Sequence, residues 1–137
     1  MSSIFHLAFH VTNLEEAKAF YGDLLGCEQG RQTDTWIDFN FFGHQLSLHL
    51  GEPFKVEKTG QVAEVKVSMP HFGAILPMNE WQALSERLET AGIEFEYGPK
   101  IRFQREAGEQ GTMFFRDPSG NPIEIKGFES FEGVFEK

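Results

Sequence analysis

Residues 4–11, Ile-Phe-His-Leu-Ala-Phe-His-Val, alternate along the chain, with Phe5, Leu7, Phe9 and Val11 on one side and Ile4, His6, Ala8 and His10 on the other. A period of two is the pattern of a strand with one buried face. The period then changes. Asn13 is a good N-cap with Glu16 in the capping-box position, Leu14, Ala17, Tyr21 and Leu24 form an apolar stripe, and Gly26 is a stop, which predicts a helix over 13–25. The same sequence of patterns returns further on. Phe72, Ala74 and Leu76 alternate with His71, Gly73 and Ile75, and a helix follows with Asn79 as cap, Gln82 in the capping-box position, a stripe of Trp81, Leu84, Leu88 and Ala91, and Gly92 as stop. The interval from cap to stop is 13 residues in each half, Asn13 to Gly26 and Asn79 to Gly92.

Strand-like runs follow each helix: TWIDFNF and HQLSLHL in the first half, IEFEY, GTMFFR and PIEIKGF in the second. Asp117-Pro118-Ser119-Gly120-Asn121 is dense in turn formers and makes the last two runs a hairpin, with Gly43 in the equivalent place of the first half. Aligning Gly43 with Gly120 sets Ser47 opposite Glu124. Residues 52–68, rich in Gly, Pro, Lys and Glu, read as a connector, and 99–111 as an exposed loop. The chain is therefore one α+β domain of two repeated modules, 4–51 and 69–128, with a short tail over 129–137. Each module is a strand, a helix and about three strands. Alone it leaves a sheet face uncovered, so the two sheets should pair and curve around a common cleft.

Alternation also decides which side chains face that cleft. With Phe5, Leu7, Phe9 and Val11 under the helix, His6 and His10 point away from it; Ile123 and Ile125 likewise turn Glu124 and Lys126 outward, and Leu46, Leu48 and Leu50 do the same for Gln45, Ser47 and His49. His6, His71 and Glu124 thus come from three strands onto one surface. A single strand His is usually just hydrogen-bonded or partly exposed. Two imidazoles at matching repeat positions and a carboxylate at the corresponding hairpin site are instead a ligand set for a divalent ion such as Fe(II), Mn(II), Zn(II), Ni(II) or Co(II).

Composition narrows the partners. Twelve Lys and Arg against 21 Asp and Glu give a net charge of −9 over 137 residues, which argues against nucleic acid and anionic membranes as partners. No run approaches the roughly 20 apolar residues of a membrane span, and the first residues lack the pattern of a signal peptide, so a cytoplasmic location is expected. The single Cys27 reads as a small buried hydrophobe. Of the 15 Phe, Phe39, Phe41 and Phe114 share the strand pattern and are expected in the core or as aromatic walls.

The segments FHLAFHVTNLEEAKAFYGDLLG, PHFGAILPMNEWQALSERLETAGIEF and GTMFFRDPSGNPIEIKGF resemble the vicinal oxygen chelate superfamily, which includes glyoxalase I, extradiol dioxygenases, fosfomycin resistance transferases and bleomycin resistance proteins. The resemblance spans nearly the whole chain. It implies two βαβββ modules pairing into an open curved sheet around a metal-binding cleft, often in a homodimer, and puts His6, His71 and Glu124 in the role of metal ligands. Within the superfamily the chain looks most like short bacterial extradiol dioxygenase-like proteins. That implies Fe(II) as the favoured ion and a small oxygenated aromatic substrate. Ser47 stands where glyoxalase I would have a fourth ligand, Glu.

Ring cleavage needs an acid/base and a donor near the metal. His49 and His10 are the candidates, with Tyr97 a third, although at about 3.3 Å per residue His10 lies roughly 13 Å along its strand from His6. Gln45 could orient a ligand. Arg102 and Arg105 read as solvated surface and Arg116 as a structural partner of the adjacent turn, with binding of a substrate carboxylate as the alternative. The competing functions are a glyoxalase-like lyase or isomerase, a thiol transferase, or a metal-free ligand-sequestering protein.

Overall fold

The computed structural model describes residues 3–106 and 108–137. Along the chain come β1 (His6–Val11), α1 (Leu14–Ala17) running into a π-helical segment (Lys18–Leu24), β2 (Glu28–Gln32), β3 (Trp36–Phe41) and β4 (His44–Leu50). Then follow β5 (Glu57–Val62), β6 (Val65–Met69), β7 (Phe72–Pro77), α2 (Met78–Thr90), β8 (Phe95–Arg102), β9 (Gln110–Arg116) and β10 (Pro122–Phe128), with a 3-10 turn at Phe131–Gly133. The chain divides into two compact units, Met1–Lys55 with Asp117–Asn121, and Val56–Arg116 with Pro122–Lys137.

Each unit holds one four-stranded sheet, and the two sheets have the same order: β1-β4-β3-β2 in the first, β7-β10-β9-β8 in the second. In both, the opening strand runs parallel to the last, and the remaining pairs are antiparallel. This is the mixed α+β fold of two strand–helix–three-strand modules. Ser47 pairs with Ala8, two residues beyond His6, and Glu124 with Gly73, two beyond His71, so the register reproduces the sequence alignment of Ser47 with Glu124.

Several local expectations need correction. β2 was not foreseen, because Glu-Gln-Gly-Arg-Gln is exposed throughout and an edge strand with no buried face carries no hydrophobic alternation. The segment expected as a connector contains a β5–β6 hairpin, built on Val62, Val65 and Val67 and a left-handed turn residue, Ala63 (φ 52°). β8 continues to Arg102 and β9 starts at Gln110, so both ends of the expected loop over 99–111 belong to strands, and residue 107 within it lies outside the described residues. α2 starts one residue after Pro77, which holds the N-cap position without a side-chain bond, so Asn79 lies inside the first turn and caps nothing. Phe5 is 63% exposed and Leu50 42%, and Ala91 is also exposed, since all three sit at element ends beyond the covering layer.

In the first unit Asn13 caps α1 as expected, its side chain accepting from Glu16 N at 2.9 Å. The helix then widens: Leu25 N bonds to Phe20 O, five residues back, at 2.9 Å. Both Phe20 and Tyr21 are buried as a result, while Leu24 is only half-buried. Tyr21 donates its hydroxyl to Asp117 Oδ2 at 2.7 Å. The same carboxylate accepts from Asn121 Nδ2 and, through Oδ1, from the backbone of Ser119 and Asn121, each at 2.9 Å. Burial first, then the charge of Asp117, holds the Tyr21 phenol well above its ordinary value. Cys27 is buried, and that burial pushes its thiol up to about 11, which makes it a poor nucleophile.

In the second unit Trp81 of α2 lies on a flat spot formed by Gly111 and Gly127, which are register partners on β9 and β10. A Cβ on either glycine would come within 2.8 or 2.5 Å of the Trp81 side chain. The indole Nε1 donates to Ile125 O at 2.9 Å, so packing and polar satisfaction fix the helix at one height on the sheet. Leu84 and Leu88 complete the buried stripe.

Removing the Tyr21 hydroxyl by Tyr21→Phe leaves a buried carboxylate short of one donor, and should cost about 1.5–3 kcal/mol, the range for hydrogen bonds to charged groups. Urea denaturation measures it, and an unchanged midpoint would show that the bond contributes nothing.

Candidate metal centre

His71 precedes β7, and its Nδ1–H donates to the Ser68 carbonyl at 2.8 Å. A carbonyl only accepts, so the proton is on Nδ1, and Nε2 is the nitrogen left to bind something else. Nε2 lies 3.3 Å from Glu124 Oε1. Ser68 is itself pinned: its hydroxyl donates to the Glu96 carboxylate at 3.1 Å and accepts from Arg116 at 2.8 Å. Arg116 and Lys58 both pair with Glu96, at 3.3 and 3.8 Å. The turn carrying His71 is therefore buttressed by a charged cluster on β5, β8 and β9.

Glu124 sits on β10 between Gly73 and Phe114, and its Oε2 accepts the Thr112 hydroxyl at 2.5 Å. Burial alone would raise this carboxyl, but the bonds from His71 and Thr112 and the charge of Lys126 outweigh it, holding Glu124 below its ordinary value of 4.5. His71 moves the opposite way. Its bond to Glu124 raises it above 6.5, against the opposing effect of burial. Phe114 packs edge-on to His71, centroids 5.1 Å apart, and Tyr97 stands beside the same ring at 6.2 Å. The pair is a carboxylate and an imidazole held by neighbours in one mutual orientation.

In the first unit His6 is exposed, and its Nδ1 lies 2.8 Å from Gln45 Oε1. Gln45 Nε2 turns to Asp38 Oδ2 at 3.5 Å, and Asp38 Oδ1 accepts the Ser47 hydroxyl at 2.6 Å. With the amide oriented that way, Nδ1 of His6 carries the proton and Nε2 is again the open nitrogen. A groove of about 560 Å³ lies alongside, lined by Arg31, Trp36, Asp38, Asn40 and Gln45 among others. His10 and His49 are register partners and line a different pocket, of about 410 Å³, with Phe9, Glu52 and Phe54. His10 Nδ1 bonds to Glu52 O at 3.0 Å, and His49 packs on Trp36 with centroids 6.1 Å apart.

The structure thus brings together His71 and Glu124, and separately His10 and His49; His6 lies with Gln45, and Tyr97 lies one ring away from His71. Among the described residues no group of three or more His, Cys, Asp or Glu side chains forms a metal cluster. Arg116 bonds Ser68 and Glu96 through its guanidinium, on the face of β9 where they lie. Arg102 lies over the Phe103 ring at 4.6 Å and Arg105 is exposed. Phe39, Phe41 and Phe114 are buried. Sequence reasoning missed Thr112, Ser68 and Glu96. Thr112 had a signal, since it alternates with Phe114 on the strand facing Glu124; Ser68 acts through its backbone, which no side-chain pattern announces.

The chain belongs to the Glyoxalase/Bleomycin resistance protein/Dioxygenase superfamily, whose model matches residues 3–125. It is similar to the metallothiol transferase FosB of Lysinibacillus sphaericus (strain C3-41), 25% identical over 125 residues that cover 91% of this chain and 82% of that protein. Among solved structures it is similar to a glyoxalase/bleomycin resistance protein/dioxygenase from Alicyclobacillus acidocaldarius, with 30% identity, a TM-score of 0.76, and 98% and 97% of the two chains covered. The lactoylglutathione lyase of Agrobacterium tumefaciens shares the fold at 18% identity and TM-score 0.67, over 100% of this chain and 98% of that one. No helix among the described residues is long and apolar enough to cross a membrane.

Two outcomes are expected here. Gly73 leaves no room for a side chain, because its Cβ would run into the backbone carbonyl of Glu124. Gly73→Ala should therefore part β7 from β10 and destabilise the fold by about 1–3 kcal/mol, the usual scale of overpacking, as read by thermal or urea unfolding; full stability would show that the strands yield freely. The His71–Glu124 pair should also give the metal-free protein a pH-dependent stability. The raised His71 contributes fully below 6.5 and loses that contribution as pH rises through its folded value; the lowered Glu124 contributes fully above 4.5 and loses it as pH falls through its own. The combined contribution is greatest between those two ordinary values, and His71→Gln with Glu124→Gln should remove that maximum from a stability profile across pH 3–9.

Proposed function

We propose that this chain is a divalent-metal-dependent enzyme in which His6, His71 and Glu124 hold the ion and a small oxygenated molecule chelates it through its own oxygens. The observation that carries the reading is the shared arrangement of the two histidines. Each has Nδ1 committed to an acceptor, Ser68 O for His71 and Gln45 Oε1 for His6, which turns Nε2 of His71 toward the Glu124 carboxylate and leaves Nε2 of His6 as the nitrogen to meet an ion. Metal-ligating histidines are set this way, their second nitrogen donating to a carbonyl or carboxylate. Glu124 adds one negative charge, and its bond from Thr112 fixes which oxygen faces His71. The donor set, two nitrogens and one oxygen, suits Fe, Mn, Zn, Ni or Co in the divalent state.

A divalent ion bound there supplies a Lewis acid that polarises an oxygen of the substrate. The chain's own residues do the rest. Gln45 and Ser68 hold the imidazoles in register, while Phe114 and Tyr97 offer an apolar wall beside His71. Similarity to a protein named as a metallothiol transferase favours transferase or lyase chemistry over the extradiol-type oxygenation that the sequence resemblance puts first. His49 and His10, or Tyr97, are the proposed proton-moving groups. The reading requires His6 to join His71 and Glu124 when the modules pair, within one chain or in a homodimer.

Metal analysis of the untagged protein, purified anaerobically, should find about one divalent ion per chain, with affinity lowered at least tenfold in Glu124→Ala and His6→Ala, because loss of a ligand costs no less than loss of its hydrogen-bond partner. Turnover of a thiol with an electrophile under Mn or Zn without oxygen would support the Lewis-acid reading. Turnover of a catechol that needs Fe(II) and oxygen would replace it with the oxygenase, and no metal uptake even after reconstitution would leave a ligand-sequestering protein.

A further inference from the structure

Strand β8 carries an irregularity beside the His71 turn. Phe95 is opposite Phe115 and Tyr97 is opposite Phe114, so two steps along β8 match one step along β9, and Glu96 is the extra residue of a β-bulge. Regular alternation would put Phe95 and Tyr97 on one face of the sheet. The bulge separates them. Phe95 stays with Phe115, their rings edge to face at 6.1 Å, while Tyr97 meets Phe114 on the side that carries Glu124. Glu96 reaches Arg116, which follows Phe114 by two residues and so shares its face. Two consecutive residues of β8 are thereby turned toward the surroundings of His71.

Glu96 also stands where two sheets meet. The acceptor of His71 Nδ1, the Ser68 carbonyl, belongs to β6 of the two-stranded sheet, whereas Glu124, which faces Nε2, belongs to β10 of the four-stranded one. Among the described residues no backbone ladder joins those sheets. The spacing between the two partners of one imidazole therefore depends on side chains, and Glu96 gathers them. Both of its oxygens lie 3.1 Å from the Ser68 hydroxyl. Arg116 of β9 donates to one of them at 3.3 Å and to the Ser68 hydroxyl at 2.8 Å, and Lys58 of β5 stands 3.8 Å away. Ser68 is fully buried, so water does not readily replace these bonds.

We propose that Glu96 is a positioning residue for His71: from the β8 bulge it clips the β5–β6 hairpin to the four-stranded sheet, and so holds the Ser68 carbonyl where it keeps Nε2 aimed beside Glu124. Its part in catalysis rests on the metal-centre reading above. The clip itself is a property of the metal-free chain and needs only residues of the second unit. A carboxylate suits the task better than an amide, because a hydroxyl and two cations converge on it. The segment between the modules is then part of the framework of the site, and the bulge is the device that aims Glu96 at it.

The test compares the full-length wild type with Glu96→Gln and with Ser68→Ala, which removes the hydroxyl but keeps the carbonyl. Tyr21→Phe, in the other unit, controls for general loss of stability. In the metal-free chains, nuclear Overhauser contacts between the His71 and Phe114 rings should be present in the wild type and in Tyr21→Phe, and lost in the two clip variants. Amide hydrogen exchange across 57–69 should rise about tenfold in the clip variants alone. Zn(II) should bind them about tenfold more weakly, the usual effect of losing the support of a ligand, and Co(II) in its place should give an altered ligand-field spectrum. If one clip variant fails to fold, the other decides. Unchanged ring contacts and exchange in a folded clip variant would overturn the proposal, and so would an equal change in Tyr21→Phe. A wild type that takes up neither ion, yet whose His71 contacts depend on Glu96, sinks only the metal centre; normal uptake with His71 contacts independent of Glu96 sinks only the clip.

Discussion

Ile123 and Ile125 are fully buried on the side of β10 where Trp81 lies across the Gly111–Gly127 pair. Because a strand sends successive side chains to opposite faces, that burial forces Glu124 and Lys126 onto the other face, and a slip of one residue would put two charges under the helix. The hydrophobic cost of such a slip is what makes the site's geometry dependable. The same constraint operates in the first sheet, where buried Leu46 and Leu48 leave Gln45 to meet His6. The polar residues of interest thus have fixed directions that they do not themselves stabilise; the apolar residues between them do that.

This explains what was legible in the sequence. Where a strand has one buried face, alternation reveals it, and β1, β3, β4, β7 and β10 were visible in this way, together with the outward direction of His6 and Glu124; β9, buried on both faces, showed only as a strand-like run. β2 has no buried face, and the β5–β6 hairpin hides three valines among Lys, Glu and Gly, so neither produced a signal. The helix starts were read from side chains, which worked for Asn13 and failed for Asn79, where Pro77 already fixes the backbone ahead of the helix. The partners of the candidate ligands were the least legible part. Ser68 offers His71 a backbone carbonyl, and Glu96 and Arg116 meet only through the pairing of β8 with β9, a long-range contact that local patterning does not encode.

The turn Asp117–Asn121 shows a related limit. Its composition predicts a turn, and it is one, with Asp117 accepting from the backbone of Ser119 and Asn121. Nothing in the composition reveals that Asp117 is also buried and takes the Tyr21 hydroxyl. A buried carboxylate is tolerable only when its lone pairs are satisfied, and here four donors converge on it. The residue that reads as a turn former is therefore equally a polar core residue, and its hydrogen bonds restrict what can replace Tyr21 almost 100 positions away in the chain.

The two modules repeat in backbone and differ where the chemistry is. At the position of Glu124 the first module has Ser47, and its hydroxyl is already committed to Asp38 at 2.6 Å. Across the strand from Ser47 lies Asp38, where the second module has Phe114 across from Glu124. The first sheet has thus placed its carboxylate one strand further from its histidine and tied it into a side-chain network with Ser47 and Gln45, where it serves to orient Gln45 and through it His6. The second sheet keeps its carboxylate beside the histidine and surrounds the pair with Phe114 and Thr112, which leaves His71 and Glu124 each other as partners. Two modules with the same strand order and register thus differ in what they present: the first one imidazole oriented by Gln45, the second an imidazole paired with a carboxylate.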